Sequence, residues 1–534
     1  MCSRTGASTG GKPGKTSDLL HPFLLAAYPI LHIYASNLGQ AALADILRPL
    51  AFSLLLAAVS LAAAGRLLRD RAKAGLFASF FVITFLSYGH ALRALSRITG
   101  NPMETIQSVS LFFWLALVLA VLVTLMRTRR DLSQLGRLAF VLGGVLAALL
   151  MAKMFWYAVT SITRGENAAD WQAVIAVERK RAREMWAKTA SSPDIYYIVL
   201  DKYARHDVLK THFDYDNSPF IDYLTNAGFY VAKRARCNYL GTDWSLSSSL
   251  NYDYLDTLLR AARQKPTYAT RGRVWNSRIC RVLKDKGYKY IQLDSGWHVT
   301  QASPYADIVM PRSVFDLTEL ERVFIDRSVL RVPFEHQLDA YLRRRTLRQF
   351  DDLVRISRIK EKTFTFAHIV CPHGPYVFDR QGNMPATRTG HGTEESKLYV
   401  NQLHYTNKLV RQTVDSIMAN SHVPPIIILQ SDHGCVPPDK VPSDGNRAPT
   451  LSDEQLIKYA RLRSPILSAY YFPGAGTKAL YETITPVNSF RVMLNEYFGG
   501  DYALLPDVTY RPRRGEQLHP ATPEQLEKLD DPLD

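Results

Sequence analysis

The sequence predicts an N-terminal bundle of five transmembrane helices followed by an α/β domain with a mainly parallel sheet. Nearly all long apolar runs of the 534-residue chain fall before residue 160, and each is about long enough to cross a bilayer as a helix. From Asp194 onward, strand-like and helix-like segments alternate, which is typical of α/β folds. The mean hydropathy of -0.11 is therefore an average over two very different halves.

The same change in sequence pattern sets the expected domain boundaries. We expect a disordered N-terminus (1–18), a five-helix transmembrane domain (19–160), a charged amphipathic linker (161–192), a catalytic domain (193–510) and a loose tail rich in Pro and acidic residues (511–534). The apolar runs cover roughly 20–38, 46–64, 75–95, 108–126 and 138–160. Pro22, Pro29 and His32 interrupt the first run, for which a re-entrant or signal-like segment is the alternative.

The positive net charge of +16 fits membrane topology better than nucleic-acid binding. Lys and Arg gather in short loops between apolar runs, at 66–73 and 127–137, and the chain has no zinc-finger spacing or aromatic RNA-binding signature. Because cytoplasmic loops retain positive charge, these clusters predict a cytoplasmic N-terminus. Five crossings then place everything after Tyr157 outside. We expect a multi-pass protein of the bacterial inner membrane, with its catalytic domain on the periplasmic or extracellular side.

Two features leave alternatives open. The linker carries an apolar stripe at helical spacing, which either lies on the membrane surface or packs on the catalytic domain; the stripe is Trp171, Val174, Ile175, Met185 and Trp186.

The cysteines contain no C-x-x-C pair, which argues against a zinc ribbon. An outward-facing domain leaves room for one or two disulfides among Cys237, Cys280, Cys371 and Cys435.

Polar residues follow three of the predicted strands. The strand candidates are 195–200, 228–232, 288–293, 363–370, 426–430 and 465–472. In open α/β sheets, ligands gather beyond the carboxyl ends of strands. Asp201 follows the first candidate, the loop 371–376 with His373 follows the fourth, and Asp432-His433-Gly434 comes just after the fifth. We expect these side chains to converge.

A carboxylate and an imidazole side by side are ligands suited to zinc or manganese. Asp432 and His433 can reach one cation from a tight turn in which Gly434 lets the backbone bend away, and Asp201 adds a second carboxylate. Taken alone, an aspartate after a strand is a turn or helix cap about two times in three. His373 is a candidate catalytic acid or phosphate ligand, although a lone histidine in a Pro-Gly loop is more often structural. The shared strand-end position favours a site.

The hydroxyl-rich stretch 238–251 leads into a predicted helix and offers a nucleophile. A hydroxyl that coordinates the metal has a lowered pKa, and amides at the helix start hold an anionic group. The plainer interpretation is a cluster of N-caps. Spacing does not choose among Thr242, Ser245 and Ser247.

These residues resemble the membrane form of the sulfatase-like branch of the alkaline phosphatase superfamily, alongside lipoteichoic acid synthases and lipid A phosphoethanolamine transferases. The matching pieces are 198–201, 238–251, 372–376, 405–407, 431–434 and 486–491. The resemblance implies an alkaline-phosphatase-like domain with one divalent metal on Asp201, Asp432, His433 and Thr242. Thr242 is the implied nucleophile because the family pattern places Ser three positions later, as Ser245 is. The implied substrate contacts are His373, Tyr376, Ser245 and Asn407.

Two departures from the family patterns bear on the chemistry. The transferases commonly carry Glu where this chain has Asp201, which leaves the substrate undefined. True sulfatases resemble C-x-P-x-R at the nucleophile, whereas this chain has Thr242-Asp243-Trp244-Ser245-Leu246. Sulfate ester hydrolysis is therefore the less favoured chemistry.

We expect a metal-dependent phosphoryl-type transferase that forms a phospho-threonine and acts on a lipid donor or an envelope glycan acceptor kept near the bilayer. The alternative is a sulfatase-like hydrolase, that is, a phosphatase, phosphodiesterase or sulfatase with water as acceptor. A remote alternative is a transporter or a non-catalytic scaffold. Transport predicts ionisable groups in mid-membrane and broken helices, whereas His32, His90 and Lys153 lie near the ends of the apolar runs or in weak segments.

Overall fold

The computed structural model of the chain describes residues 17–38, 43–163, 168–185, 193–261, 270–297, 299–310, 317–388, 392–438, 453–474, 476–512 and 518–520. All but the last two residues of the predicted disordered N-terminus lie outside these ranges, as does Trp186 of the linker stripe. The chain divides into two compact units. The membrane unit is Met1–Ala158 with Leu320–Phe334, and the α/β unit is Val159–Glu319 with Glu335–Asp534.

The helices and strands of the described residues are as follows in chain order. The helices are α1 (Ser17–Ser36), α2 (Leu47–Leu68), α3 (Arg71–Thr99), α4 (Met103–Arg127), α5 (Ser133–Thr163), α6 (Ala168–Met185), α7 (His206–Phe213), α8 (Ser218–Asn226), α9 (Thr242–Ser249), α10 (Leu255–Ala261), α11 (Thr270–Trp275), α12 (Arg278–Asp285), α13 (Glu319–Arg327), α14 (Arg331–Ile356), α15 (Thr393–Asn420), α16 (Asp453–Arg463) and α17 (Pro486–Phe498). The strands are β1 (Ile195–Leu200), β2 (Tyr230–Val231), β3 (Lys289–Leu293), β4 (Ile308–Met310), β5 (Thr363–Ile369), β6 (Ile426–Gln430), β7 (Ser468–Tyr471), β8 (Tyr510–Pro512) and β9 (Leu518–Pro520).

Five helices of the membrane unit, α1 to α5, are long and apolar enough to cross a membrane, as predicted. Pro22 and Pro29 lie inside α1, which is nevertheless one helix. No residue of the candidate membrane span in α4 is buried inside the protein. Large apolar side chains such as Phe112 and Phe113 are exposed along this helix. A helix with so much exposed apolar surface is stable in hydrocarbon rather than in water.

The interior of the membrane unit lies where α1, α2 and α3 pack. Ala26, Ala57 and Val82 come from these three helices and are fully buried in one cluster. Small residues at such contacts let helix backbones approach closely. The Ser53 hydroxyl on α2 donates a hydrogen bond to the Ala26 carbonyl on α1 at 3.0 Å, which adds a polar link to the packed faces.

The segment Leu320–Phe334 belongs to the membrane unit although it lies within the predicted catalytic domain of 193–510. Leu320 and Phe324 are buried in the same cluster as α1 to α3, and the Val329 amide donates to the Phe85 carbonyl of α3 at 2.9 Å. This placement rests on contacts between residues more than two hundred positions apart, which a contiguous division of the sequence does not capture.

The α/β unit is built on a seven-stranded sheet in the order β2-β7-β6-β1-β5-β3-β4. β6, β1, β5, β3 and β4 run parallel, while β7 and β2 pair antiparallel at one side. The sheet is therefore mainly parallel, as predicted. Every residue of β1, β5 and β6 is buried, because separate apolar clusters cover the two faces of the sheet. A strand buried on both faces is a nearly continuous apolar run in the sequence.

The linker and the tail take defined places in the α/β unit. Trp171 and Ile175 of α6 are buried in a cluster with residues of α10, and the Trp171 indole donates to the Asn276 carbonyl at 3.0 Å. Of the alternatives for the linker, the structure therefore shows packing on the α/β unit.

The described start of the predicted loose tail forms the β8–β9 pair, and the Tyr510 ring stacks on Tyr239 with centroids 5.1 Å apart. The four cysteines between residues 237 and 435 are buried free thiols.

Candidate active site

The carboxyl ends of two neighbouring parallel strands bring two aspartates to the same level. Val199 of β1 is in register with Gln430 of β6, so Asp201 and Asp432 each lie two residues beyond a paired position. Asp201, Asp432 and His433 each offer one ligand atom, and these atoms all lie within 4.8 Å of one another. All three residues are buried. The sequence thus predicted the convergence of these side chains.

Hydrogen bonds between the two strand-end loops fix this arrangement. The Ser431 hydroxyl accepts from the Tyr203 amide at 2.8 Å and donates to the Leu200 carbonyl at 2.7 Å. The Lys202 amide donates to the Asp432 carboxylate at 3.0 Å, and Lys202 adopts a positive φ of 67° that non-glycine residues rarely take. A loop held this firmly keeps both carboxylates aimed at one point.

Close packing of the backbone at Arg463 and Pro465 requires a glycine at position 434. Its amide donates to the Arg463 carbonyl at 2.7 Å, and an added Cβ would lie 2.4 Å from the Pro465 carbonyl oxygen. We predicted that Gly434 lets the backbone bend away from the site. The structure shows that the glycine lets a neighbouring chain segment come within hydrogen-bonding distance, so any side chain here would displace the His433 loop.

The polar atoms of the cluster suit a divalent cation. One oxygen of Asp201 (Oδ1) and one of Asp432 (Oδ2) are buried without a hydrogen-bond partner among the described residues. Burial and the neighbouring Asp432 charge raise the pKa of Asp201 well above its usual value, because two buried carboxylates at one place repel each other. A cation between them would satisfy both oxygens and remove the repulsion.

The imidazole of His433 presents its unprotonated nitrogen to the two aspartates. Its Nδ1 donates to the Gly434 carbonyl at 3.0 Å, which leaves Nε2 unprotonated and able to accept from the Arg463 guanidinium. That Nε2 lies 3.4 Å from Asp432 Oδ2 and 3.9 Å from Asp201 Oδ1. Burial and the Arg463 charge lower the pKa of His433 to about 3. The ring is therefore neutral near pH 7, which is the form that binds a metal.

Thr242 is the hydroxyl residue that reaches this cluster. It is the first residue of α9, and its Oγ1 lies 3.3 Å from His433 Nε2. Ser245 and Ser247 are 2% and 0% exposed, whereas Thr242 keeps partial exposure. The amides at the start of α9 add partial positive charge beside the Thr242 oxygen. Of the three hydroxyls that the sequence left open, Thr242 is thus the one that a substrate can approach.

His373 lies in the loop after β5, as predicted, and α15 holds that loop. The Gln402 side-chain amide donates to the His373 carbonyl at 3.0 Å. The His373 ring donates from Nδ1 to the Gly374 carbonyl at 2.6 Å. Burial and the Lys202 charge lower its pKa to about 4, so the ring is neutral near pH 7 with Nε2 unprotonated.

Three expected substrate contacts are buried, and two of them engage other protein groups. Ser245 is buried inside α9, and the Tyr376 hydroxyl donates to Glu395 at 3.2 Å. Asn407 accepts from the Tyr203 hydroxyl at 2.6 Å and donates to Asn217 at 2.8 Å. Because both its oxygen and its nitrogen form hydrogen bonds within the protein, the Asn407 side chain supports the Asp201 loop through Tyr203. The substrate-contact roles of these residues stay predictions.

Two residues at the site escaped the sequence analysis. His368 is fully buried on β5, with Nε2 3.7 Å from Asp201 Oδ2 and Nδ1 2.8 Å from the Thr300 hydroxyl. Its only signal in the sequence is a histidine inside an apolar strand next to a predicted ligand loop. Arg463 places its guanidinium 3.0 Å from His433 Nε2 and also donates to the Leu240 carbonyl at 2.7 Å. An arginine among the basic residues at a helix end carries no such signal.

Comparisons with known proteins give one family match and several similar solved structures. The Sulfatase family model matches residues 193–485, more than half of the 534 residues. No curated protein sequence matches the chain. The lipooligosaccharide phosphoethanolamine transferase of Neisseria meningitidis is similar at 9% identity over 91% of this chain and 96% of that one, with a TM-score of 0.39.

Similar solved structures also include isolated domains. The C-terminal periplasmic domain of EcEptC from Escherichia coli is 13% identical over 62% of this chain and 94% of that one, with a TM-score of 0.40. A putative sulfatase from Bacteroides fragilis is 14% identical over 60% and 82%, with a TM-score of 0.35. Similarity at this level of identity and TM-score does not identify a substrate for this chain.

The extent of the family match settles the class of protein. A sulfatase-type α/β domain of this extent places the chain among the enzymes of the alkaline phosphatase superfamily. The chain belongs to the sulfatase family, in a form that carries membrane helices before the enzyme domain.

Proposed function

We propose that this enzyme transfers a phosphoryl-type group through a covalent phospho-threonine on Thr242. The observation that supports this most directly is the place of the Thr242 hydroxyl, 3.3 Å from His433 Nε2 at the start of α9. A threonine at that place lies beside two buried carboxylates and is itself accessible. The motif around it lacks the C-x-P-x-R arrangement of true sulfatases, which favours phosphorus over sulfur chemistry.

One divalent metal, zinc or manganese, belongs to this proposal. Asp201, Asp432 and His433 would hold it, with the Thr242 oxygen as a fourth ligand, because the carboxylate and imidazole atoms are buried and close together and the His433 ring is neutral near pH 7. A bound divalent cation supplies positive charge that lowers the pKa of a coordinated hydroxyl and stabilises charge on phosphoryl oxygens.

The chain's own groups carry the two displacement steps. The Thr242 hydroxyl gives its proton to solvent and its oxygen attacks phosphorus, so that a new O–P bond forms. The bond to the leaving oxygen breaks with its electron pair, and that oxygen takes up a proton from solvent. In the second step an acceptor hydroxyl attacks the phosphorus of phospho-Thr242 and the threonine oxygen departs. The neutral His373 ring, with Nε2 unprotonated, is suited to take the proton of that acceptor. The cations of Lys202 and Arg463 offset the negative charge of the phosphoryl group.

Membrane helices on the same chain favour a substrate from the cell envelope. An enzyme anchored in the bilayer stays close to a lipid donor or an envelope glycan acceptor, which raises the effective concentration of both. We place the α/β unit on the periplasmic or extracellular side of the bacterial inner membrane, in line with the distribution of Lys and Arg between helices. The candidate alternative to transfer is hydrolysis, in which water takes the place of the acceptor, and membership of the sulfatase family favours it as the second candidate.

Trapping the covalent adduct tests the proposal. We expect brief incubation with a phosphodiester substrate, acid quench and peptide mass mapping to show a phosphoryl-type adduct on Thr242. Thr242→Ala abolishes the adduct and lowers turnover by about a thousandfold or more, whereas Thr242→Ser retains part of both. Thr225→Ala removes an exposed threonine hydroxyl on α8 and serves as the matched control. Adduct-free protein with activity retained in Thr242→Ala would end the proposal.

Product analysis separates transfer from hydrolysis. Incubation of the purified enzyme in lipid vesicles, with and without a glycan acceptor, is followed by mass spectrometry of both substrates. A transferase delivers the group to the acceptor, whereas a hydrolase releases it to water at the same rate in both samples.

A further inference from the structure

The membrane unit contains a cavity of about 320 Å³ that the proposed reaction does not use. Its wall is mostly apolar and includes Ile33 of α1, Ile83 and Leu86 of α3, and Leu146 of α5. Ile83 is 42% exposed on the protein surface. Because α3 is a candidate membrane span, that exposed face meets hydrocarbon, so a lipid chain can enter the cavity from the bilayer.

Basic side chains line the same cavity, and no acidic side chain does. These are His32, His90 and Arg327. Among the described residues, the Arg327 guanidinium has no ion-pair or hydrogen-bond partner, and Asp326 acts on it only through its charge. The neighbouring Asp326 is engaged elsewhere, by Arg93 at 2.5 Å and by Arg331. A guanidinium beside apolar walls and without a counter-ion carries an unfavourable desolvation cost, which an anionic ligand would offset.

The basic and apolar parts of the cavity wall are arranged like the headgroup and the acyl chains of a phospholipid. His32 lies four residues from the end of α1 and His90 nine residues from the end of α3, about 6 and 14 Å along a helix. In the predicted topology these two ends face the same, outer side of the membrane. Leu146 lies near the middle of α5. The charge therefore sits towards the headgroup level, and the apolar wall extends into the hydrocarbon.

We propose that this cavity binds an anionic phospholipid of the outer leaflet. The phosphate lies against Arg327, His32 and His90, and part of one acyl chain lies along Ile83 and Leu146. A volume near 320 Å³ is at the small end of ligand pockets, so the cavity takes a phosphate and a stretch of chain rather than a whole lipid. The site is distinct from the Thr242 site, and its occupancy does not depend on phosphoryl transfer.

Lipid binding to the full-length protein tests this inference without any turnover. Native mass spectrometry of the detergent-purified chain, titrated with phosphatidylglycerol, gives the affinity of the bound lipid. We expect Arg327→Gln to weaken phosphatidylglycerol binding by about tenfold or more, because a charge-assisted hydrogen bond is lost. Arg322→Gln removes the same charge from the same helix outside the cavity and should change binding less than about twofold. Leu146→Trp fills the apolar wall from α5 and should also weaken binding.

The ligands distinguish a lipid from its parts. Dioleoylglycerol, which lacks the phosphate, and glycerol 3-phosphate, which lacks the chains, should each bind about tenfold more weakly than phosphatidylglycerol, or weaker still. Equal binding of either one would overturn the proposal, since the cavity would then recognise only an apolar chain or only a phosphate. It would also be overturned if Arg327→Gln and Leu146→Trp both bound phosphatidylglycerol as the unmodified protein does.

Discussion

Two buried carboxylates at one point define the electrostatics of the candidate active site. Burial and the Asp432 charge raise the pKa of Asp201, although Arg463 and Lys202 lower it in part. Ionisation of both carboxylates in this buried site therefore calls for more positive charge than Arg463 and Lys202 provide. A divalent cation supplies the missing positive charge, and the neutral ring of His433 adds a ligand without adding charge.

Replacing Asp201 by asparagine should remove the metal. The amide keeps the shape of the side chain but has no anionic oxygen, so we expect Asp201→Asn to weaken zinc or manganese binding by about tenfold or more. Metal per protein after dialysis, measured by plasma mass spectrometry, checks this. Asp214→Asn is the matched control, because Asp214 is exposed with a φ of 50° that asparagine adopts readily. One equivalent of metal retained by Asp201→Asn would exclude this ligand.

At the scale of single elements, α13 is fixed in the membrane unit by close backbone contact. A Cβ on Gly89 would lie 2.2 Å from the Asp326 carbonyl oxygen. Arg93 and Arg48 add ion pairs to Asp326 and Glu321. Close approach at a glycine and ion pairs on both sides thus position Arg327 at the wall of the cavity.

Gly89→Ala should loosen this segment even though alanine favours helices. In an open helix, Gly→Ala stabilises by up to about 1 kcal/mol, but here the added methyl would displace the backbone at Asp326. We expect faster amide hydrogen exchange over residues 320–334 in Gly89→Ala. Gly65→Ala on α2 meets no atom within 4 Å and should leave that exchange unchanged. Identical protection in both variants would mean that the contact does not hold the segment.

The helix α6 is tied to α12 by a two-point ion pair, Arg179 to Asp285, with both N–O distances at 2.6 Å. Burial alone would raise the pKa of Asp285, but the Arg179 hydrogen bonds outweigh it and the pKa is lowered. A lowered carboxyl pKa means that the pair stabilises the folded state at pH values above the unfolded value of about 3.9. The contribution is lost as the pH falls through the folded pKa.

We expect a double-mutant cycle of Arg179→Gln and Asp285→Asn to give a coupling of about 1 kcal/mol at pH 7, kept small by the solvent exposure of Arg179. Hydrogen exchange of α6 at pH 7 and in acid provides the measurement. The coupling should be intact at about pH 5 and smaller below about pH 4. Lys180→Gln, an exposed neighbour on α6, should not couple to Asp285. A coupling that grows on acidification would contradict the assignment.

For the molecule as a whole, local sequence patterns predicted what local burial determines. Strand β1 and the end of β6 were predicted to the residue, because each is a continuous buried apolar run followed by polar ligands. The three-residue strand β4 leaves no such pattern. The membrane location of Leu320–Phe334 depends on α3, and the approach of His368 to Asp201 depends on sheet order. Neither fact is visible in the residues that flank those positions.

The orientation of the whole chain is the remaining prediction, and cysteine labelling tests it. Five crossings from a cytoplasmic N-terminus place the α3–α4 loop outside and the α4–α5 loop inside. In a Cys2→Ser background, in which the described native cysteines are buried, Asn101→Cys and Glu361→Cys should react with a membrane-impermeant maleimide on intact spheroplasts. Arg130→Cys should react only after permeabilisation. The reverse labelling pattern would place the enzyme domain in the cytoplasm and remove its access to an outer-leaflet lipid.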